Sequence, residues 1–112
     1  MKVAVIGSRS ITTIKNLESV LPPETTEIVS GGAKGVDAIA KEYALSHGLK
    51  YTEFLPEYEK YGKSAPLKRN ISIIEYSDFV VAFWDGMSTG TKFVIDNCEK
   101  MGVRLRVRII LD

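Results

Sequence analysis

The sequence contains one cysteine, Cys98, so an internal disulfide is impossible. Disulfides are rare in reducing compartments, and we therefore expect a cytoplasmic location. The longest apolar run, 79–84, is far shorter than the roughly 20 residues that span a bilayer, and the N-terminus lacks the apolar core of a signal peptide. We expect no membrane partner.

Neither sign of charge dominates the chain of 112 residues, because 15 Lys and Arg oppose 14 Asp and Glu, which leaves a net charge of +1. No overall field therefore attracts the protein to nucleic acid or to an acidic membrane surface. Apolar residues make up 45% and charged residues 26%, as is typical of a globular domain. We expect one domain, 1–112, without a metal site or an identified cofactor.

Apolar periodicity predicts the fold class. Five apolar or alternating segments end at turn residues and predict strands at 3–7, 27–30, 50–55, 79–84 and 103–111. Between them, four segments place apolar residues at helical spacing. This alternation predicts a single α/β, Rossmann-like, doubly wound sheet of about five mainly parallel strands with helices on both faces.

Capping residues predict where the helices begin and end. Ser10 is suited to cap a first helix with a stripe at Ile11, Ile14, Leu17 and Leu21, which Pro22-Pro23 would stop. Ser64 is suited to cap the third helix, whose buried stripe would contain Leu67, Ile71 and Ile74. Gly48 and Gly102 would close the second and fourth helices.

The segment Ser30–Asp37, Ser-Gly-Gly-Ala-Lys-Gly-Val-Asp, follows a predicted strand and opens a helix. Glycines let main-chain N–H groups approach a ligand, and a helix N-terminus favours an anion such as phosphate. The segment is neither a P-loop nor a dinucleotide-binding fingerprint. A tight turn without a ligand is the alternative.

The turns after the first, second and fourth predicted strands are Gly7–Arg9, Gly31–Gly35 and Gly86–Thr91. They should meet at the carboxyl ends of the parallel strands, which is where ligands bind in such sheets. Each turn offers small residues with amide, hydroxyl or cationic donors, and together they predict a pocket for a phosphate-bearing ligand. The predicted binding residues are Gly7, Ser8, Arg9, Gly31, Gly32, Ala33, Lys34, Gly35, Arg69, Asn70, Gly86, Ser88, Thr89, Gly90 and Thr91.

Several of these residues have a second, purely structural interpretation. Arg9 and Lys34 would bind phosphate or remain solvated cations, and Asn70 would contact ligand or brace a turn. Trp84 would stack on a base or cover the core. Asp37 would accept a ribose hydroxyl or interact favourably with its helix dipole.

Four motifs, taken in order, resemble the SLOG superfamily of Rossmann-like domains over essentially the whole chain. They are Gly7-Ser8-Arg9, Ser30–Asp37, Arg69-Asn70 and the segment Trp84–Thr91. The best fit is the small YspA-type branch, related to YpsA, and DprA/Smf and LOG proteins are more distant members. The resemblance implies a pocket for a nucleotide or nucleotide-derived ligand. It does not imply LOG activity, because Val94 stands where LOG enzymes have a glutamate.

Three functions remain open. The first is a domain that binds or senses a nucleotide-derived ligand. The second is a hydrolase or transferase acting on an N-glycosidic or phosphoester bond, with Asp85 or Asp37 as the acid or base. The third is a DprA-like accessory protein that contacts nucleic acid through Arg104, Arg106 and Arg108, although charges guarding an edge strand also explain this row. Exposed sheet edges are compatible with a homo-oligomer.

Overall fold

A computed structural model describes residues 1–111, which form one five-stranded sheet with helices on both faces. The strands are β1 (Lys2–Gly7), β2 (Glu27–Ser30), β3 (Lys50–Glu53), β4 (Phe79–Trp84) and β5 (Arg104–Ile109). The helices are α1 (Val36–Ser46), α2 (Tyr58–Tyr61), α3 (Ala65–Tyr76) and α4 (Thr89–Met101), with short 3₁₀ helices at Leu17–Val20 and Gly62–Ser64.

The strand order is β3-β2-β1-β4-β5, and each of the four pairings is parallel. The chain builds outward from β1 to β3, then crosses back and continues from β4 to β5. The direction of winding therefore changes between β1 and β4, where doubly wound sheets have their ligand crevice. The predicted fold class is confirmed.

The sheet separates two apolar layers. On one face, α1 packs through Val36, Ala40 and Ala44 against inward side chains of β1, β2 and β4. On the other face, α3 and α4 pack through Ile73, Ile74 and Cys98. Both faces of β1 and β4 are covered, which explains why these strands are continuous apolar runs rather than alternating ones. Burial raises the pKa of the Cys98 thiol to about 11.

The predicted helix from Ser10 to Leu21 is wrong. The backbone there is irregular until the 3₁₀ helix Leu17–Val20, and Asn16 takes a left-handed conformation with φ 54°. Ile11 and Leu17 are nevertheless buried in the core. The apolar spacing thus marked residues that pack on the sheet, but this packing is achieved without a continuous helix.

Two details of the third strand and third helix also differ. β3 ends at Glu53 instead of residue 55, and Leu55 is largely exposed. Ser64 precedes α3 but does not cap it, since its hydroxyl donates to the Tyr61 carbonyl instead. Leu67 is 43% exposed, so it does not belong to the buried stripe that Ile74 forms.

β5 is an outermost strand of the sheet, as predicted for an alternating strand. Arg104 and Arg108 are exposed, whereas Arg106 is half-buried and donates to the Val20 carbonyl at 2.8 Å. Within residues 1–111, no helix combines the length and the apolarity needed to cross a membrane.

Candidate functional site

The turns that follow β1, β2 and β4 come together at the carboxyl edge of the sheet and line a pocket of about 410 Å³. The pocket lies over the point where the strand order reverses. Helix α3 closes it on one side with Pro66, Leu67 and Ile73. The convergence follows from parallel pairing, because strands that run in one direction end at one edge.

The predicted binding residues divide into two groups. Those that line the pocket are Gly7, Arg9, Gly31, Ala33, Arg69, Asn70, Ser88, Gly90 and Thr91. Those that belong to the same segments but do not line the pocket are Ser8, Gly32, Lys34, Gly35, Gly86, Thr89 and Trp84. Both weak catalytic candidates, Asp37 and Asp85, line the pocket.

Gly35 allows the turn after β2 to pack against the turn after β1. Its φ is +74°, and a Cβ at this position would lie 2.7 Å from the Arg9 carbonyl oxygen. Only glycine combines this backbone conformation with so close an approach. As the N-cap residue of α1, Gly35 offers no side chain to the first-turn amides of that helix.

Arg69 reaches from α3 to the glycine-rich turn. Its Nη1 donates to the Gly31 carbonyl at 2.6 Å and to the Phe54 carbonyl at 3.3 Å, while its Nε donates to Asn70 Oδ1 at 2.9 Å. Asn70 therefore braces Arg69. A Cβ on Gly31 would lie only 2.5 Å from Nη1, so a larger residue there would have to displace the guanidinium. Burial lowers the pKa of the Arg69 guanidinium, and the nearby Asp37 carboxylate opposes this shift.

Asp37 is 6% exposed and lies in the first turn of α1. Its Oδ2 accepts a hydrogen bond from the Ala33 N–H at 3.2 Å. Burial raises the pKa of its carboxyl, whereas the Ala33 N–H, the Ser30 hydroxyl and the Arg69 guanidinium act in the opposite direction. A carboxyl with a raised pKa in a pocket has the character of a functional group.

The turn after β4 is not the open anion cradle that its composition suggests. The Asp85 carboxylate accepts from the Met87 and Ser88 N–H groups, each at 2.8 Å, and from the Ser10 hydroxyl at 2.7 Å. These hydrogen bonds lower its pKa to about 2, the Ser10 bond contributing most. Asp85 is therefore ionised at neutral pH and braces this turn, which does not suit a general acid.

The remaining polar side chains of this edge hold the turns in place. Ser88 caps α4, accepting from the Thr91 N–H at 3.3 Å, and its carbonyl accepts from the Trp84 indole N–H at 3.0 Å. The buried Ser8 hydroxyl accepts from the Asp85 N–H at 3.1 Å and joins the turns after β1 and β4. Trp84 is thus fixed as a brace beside the pocket.

Sequence reasoning missed two features of the site. The pattern predicts Ser10 as a helix cap, but its hydroxyl donates to Asp85, and it predicts Leu67 in the core, but Leu67 lines the pocket. The segment Asp85–Ser88 carried a usable signal, because Asp commonly accepts from amides two and three residues later in a turn. Nothing local identifies Ser10 as its partner.

The strand order and the pocket at its reversal define a Rossmann-like, doubly wound domain. The family model described as YAcAr, the YspA, cpYpsA-related SLOG family, matches residues 1–61, which is more than half of the chain, and the protein belongs to this family. The match covers the turns after β1 and β2, whereas Arg69 and the turn after β4 lie beyond it. No curated protein and no solved structure matched the chain significantly.

Proposed function

We propose that the protein binds a nucleotide or nucleotide-derived ligand in the pocket at the carboxyl edge of the sheet and acts as a binding or sensing domain. The observation that carries this proposal is the convergence of three donor-rich turns on one pocket at the reversal of strand order. Membership of a SLOG family is consistent with a nucleotide-related function.

We propose that the phosphate binds at the N-terminus of α4, beyond the Met87 and Ser88 N–H groups that donate to Asp85. The Thr89 and Gly90 N–H groups belong to the first helical turn and have no acceptor inside the helix. Gly90 lines the pocket, and Thr89 directly precedes it in the chain. A Cβ on Gly90 would meet no heavy atom of residues 1–111 within 4 Å, so a ligand can approach the backbone there. Arg9 lines the same pocket and takes part in no ion pair within the described chain, which leaves its guanidinium free to bind an anion.

A thermal-shift screen tests ligand binding directly. Mononucleotides, dinucleotides, cyclic nucleotides and ADP-ribose are each added at millimolar concentration, and a ligand of the native state raises the melting temperature by mass action. If none of these probes raises the melting temperature, the proposal is overturned.

A pair of variants at Thr89 tests the position of the phosphate. Thr89→Pro removes one N–H at the first helical position, where proline is favoured, and the preceding Ser88 already has a compatible extended backbone with φ −60° and ψ 120°. Thr89→Ala removes the side chain and keeps the N–H. We expect the shift caused by a bound nucleotide to fall in Thr89→Pro and to persist in Thr89→Ala.

A second candidate function, hydrolysis of the bound nucleotide, is favoured by one residue. Asp37 lines the pocket with a pKa that burial raises, as a general acid requires. The test is to incubate each nucleotide that binds with the protein and to separate the products by chromatography. Turnover that disappears in Asp37→Asn would support this function, and absence of turnover would exclude it for those ligands.

A further inference from the structure

We propose that the pocket selects phosphates that carry an intact ribose, with Asp37 accepting a hydrogen bond from the pair of vicinal ribose hydroxyls. This inference rests on the proposed function, since it assigns the sugar of a ligand whose phosphate lies at α4. It predicts that ribonucleotides bind more tightly than their 2′-deoxy counterparts.

The Asp37 carboxyl has fewer hydrogen-bond donors than its burial demands. A carboxylate offers about four lone-pair sites. Within residues 1–111 the Ala33 N–H makes a hydrogen bond to Oδ2 at 3.2 Å, and the Ser30 hydroxyl and the Gly31 N–H lie close enough to lower the pKa of the carboxyl. Neither its Oδ1 nor the adjacent Ser30 Oγ has a hydrogen-bond partner in the described chain. Burying a polar group without such partners costs free energy, so a ligand that brings donors to this position is favoured.

The position of Arg69 favours a hydroxyl as the ligand group that donates to Asp37. Measured from a Cβ built on Gly31, the Arg69 Nη1 lies at 2.5 Å and the Asp37 Oδ2 at 3.0 Å, so the cation and the carboxylate flank the same part of the turn. They do not form an ion pair with each other among residues 1–111. A hydroxyl can donate to a carboxylate and accept from a guanidinium at once, which neither an ammonium group nor a carbonyl can do. The guanidinium donor would be Arg69 Nη2, because Nη1 and Nε already donate to protein oxygens.

The charges around the pocket favour one orientation of the bound ligand. The Asp37 carboxylate disfavours an anion nearby, whereas the Gly90 amide and Arg9 favour one. The ionised Asp85 also lines the pocket, and its charge is offset by the hydrogen bonds that it accepts from Met87, Ser88 and Ser10. Asp37 and Gly90 line the same pocket, although their helices begin on either side of β1 and pack on opposite faces of the sheet. A phosphorylated sugar extends far enough to contact both residues.

Calorimetric titration of matched nucleotides tests this inference. The probes are AMP, GMP, CMP and UMP, each compared with its 2′-deoxy counterpart. In the unmodified protein we expect the ribonucleotide to bind about tenfold more tightly or better, as for the loss of a hydrogen bond to a charged group. In Asp37→Asn this ratio should fall close to unity. Asp96→Asn, on the exposed face of α4, should retain it.

The outcomes separate this inference from the proposed function. If no monophosphate binds, the proposed function fails for this class of ligand and the inference fails with it. If ribonucleotides and deoxyribonucleotides bind equally well, the inference alone is overturned. If the preference for ribose persists in Asp37→Asn, the role of Asp37 is overturned. The ratio in the unmodified protein needs no variant, so a folding defect in Asp37→Asn cannot obscure the result.

Discussion

Arg69 Nη1 donates to the Gly31 carbonyl oxygen at 2.6 Å, a contact between residues 38 positions apart in the chain. The same nitrogen reaches the Phe54 carbonyl at the end of β3, and Asn70 holds the guanidinium from its other side. One cation from α3 therefore joins the turns after β2 and β3. The shape of the glycine-rich turn depends on this side chain before any ligand arrives.

Removing the guanidinium should destabilise the protein. We expect Arg69→Ala to lower the free energy of unfolding by about 1.5–3 kcal/mol, because hydrogen bonds from a charged donor to half-buried carbonyls are lost. Urea denaturation followed by circular dichroism measures this change. Arg108→Ala, on the exposed edge strand, is the matched control and should change stability by less than about 0.5 kcal/mol. Equal stability of the two variants would contradict the role of Arg69.

Gly31 should tolerate a methyl group only when Arg69 is absent. A Cβ there would lie 2.5 Å from Arg69 Nη1, so Gly31→Ala should displace the guanidinium and lower the free energy of unfolding by about 1–3 kcal/mol. In an Arg69→Ala background the same substitution should cost much less, since the clash has been removed. A double-mutant cycle measures this coupling, and additive effects would show that the two residues act independently.

Asp85 should stabilise the protein in its ionised form. Its pKa is lowered to about 2, so its contribution to stability is fully present above the ordinary aspartate value of 3.8 and is lost as the pH falls through about 2. Asp85→Asn should therefore unfold more easily at neutral pH. The difference from the unmodified protein should shrink between pH 3.8 and about 2, which thermal melts across this range measure. A difference that does not vary with pH would contradict this account.

Asp37 in its ionised form should reduce the stability of the protein. Because burial raises its pKa, the charged form is penalised in the folded state, and this penalty is present at neutral pH and absent below the ordinary value of 3.8. We expect Asp37→Asn to be more stable than the unmodified protein at neutral pH, with the gain disappearing in acid. Urea titrations at the two pH values test this expectation, and a less stable variant at neutral pH would contradict it.

Asp37 is expected to reduce stability, and its loss is expected to weaken ligand binding. This combination is typical of a functional residue, since activity often needs a strained or underpaired group. Substitution of Asp37 should therefore raise stability and weaken ligand binding. Substitution of Asp85 should lower stability, because its hydrogen bonds hold the turn in which it lies.

Local sequence patterns were sufficient for the strands and for most helices. The continuous apolar runs of β1 and β4 and the helical spacing of Val36, Ala40 and Ala44 report directly on burial. The meeting of the three turns then follows from parallel pairing. For these reasons the fold and the position of the pocket could be predicted.

Other features depend on partners that are distant in sequence. The Ser10–Asp85 hydrogen bond joins residues 75 positions apart, and no local pattern reveals it. Ser10 donates to Asp85, and Asn16 adopts a left-handed conformation. With these two features, the segment between β1 and β2 packs its apolar residues without a continuous helix. Tertiary contacts outweighed helical spacing there.

The most direct test of the account is an amide NMR titration with the nucleotide that gives the largest thermal shift. Gly31 and Gly90 line the pocket, whereas Gly48 and Gly102 precede β3 and β5 at the opposite edge of the sheet. The account predicts that the amide signals of Gly31 and Gly90 move with added ligand while those of Gly48 and Gly102 stay in place. Unmoved pocket signals at millimolar nucleotide, or larger changes at the opposite edge, would contradict it.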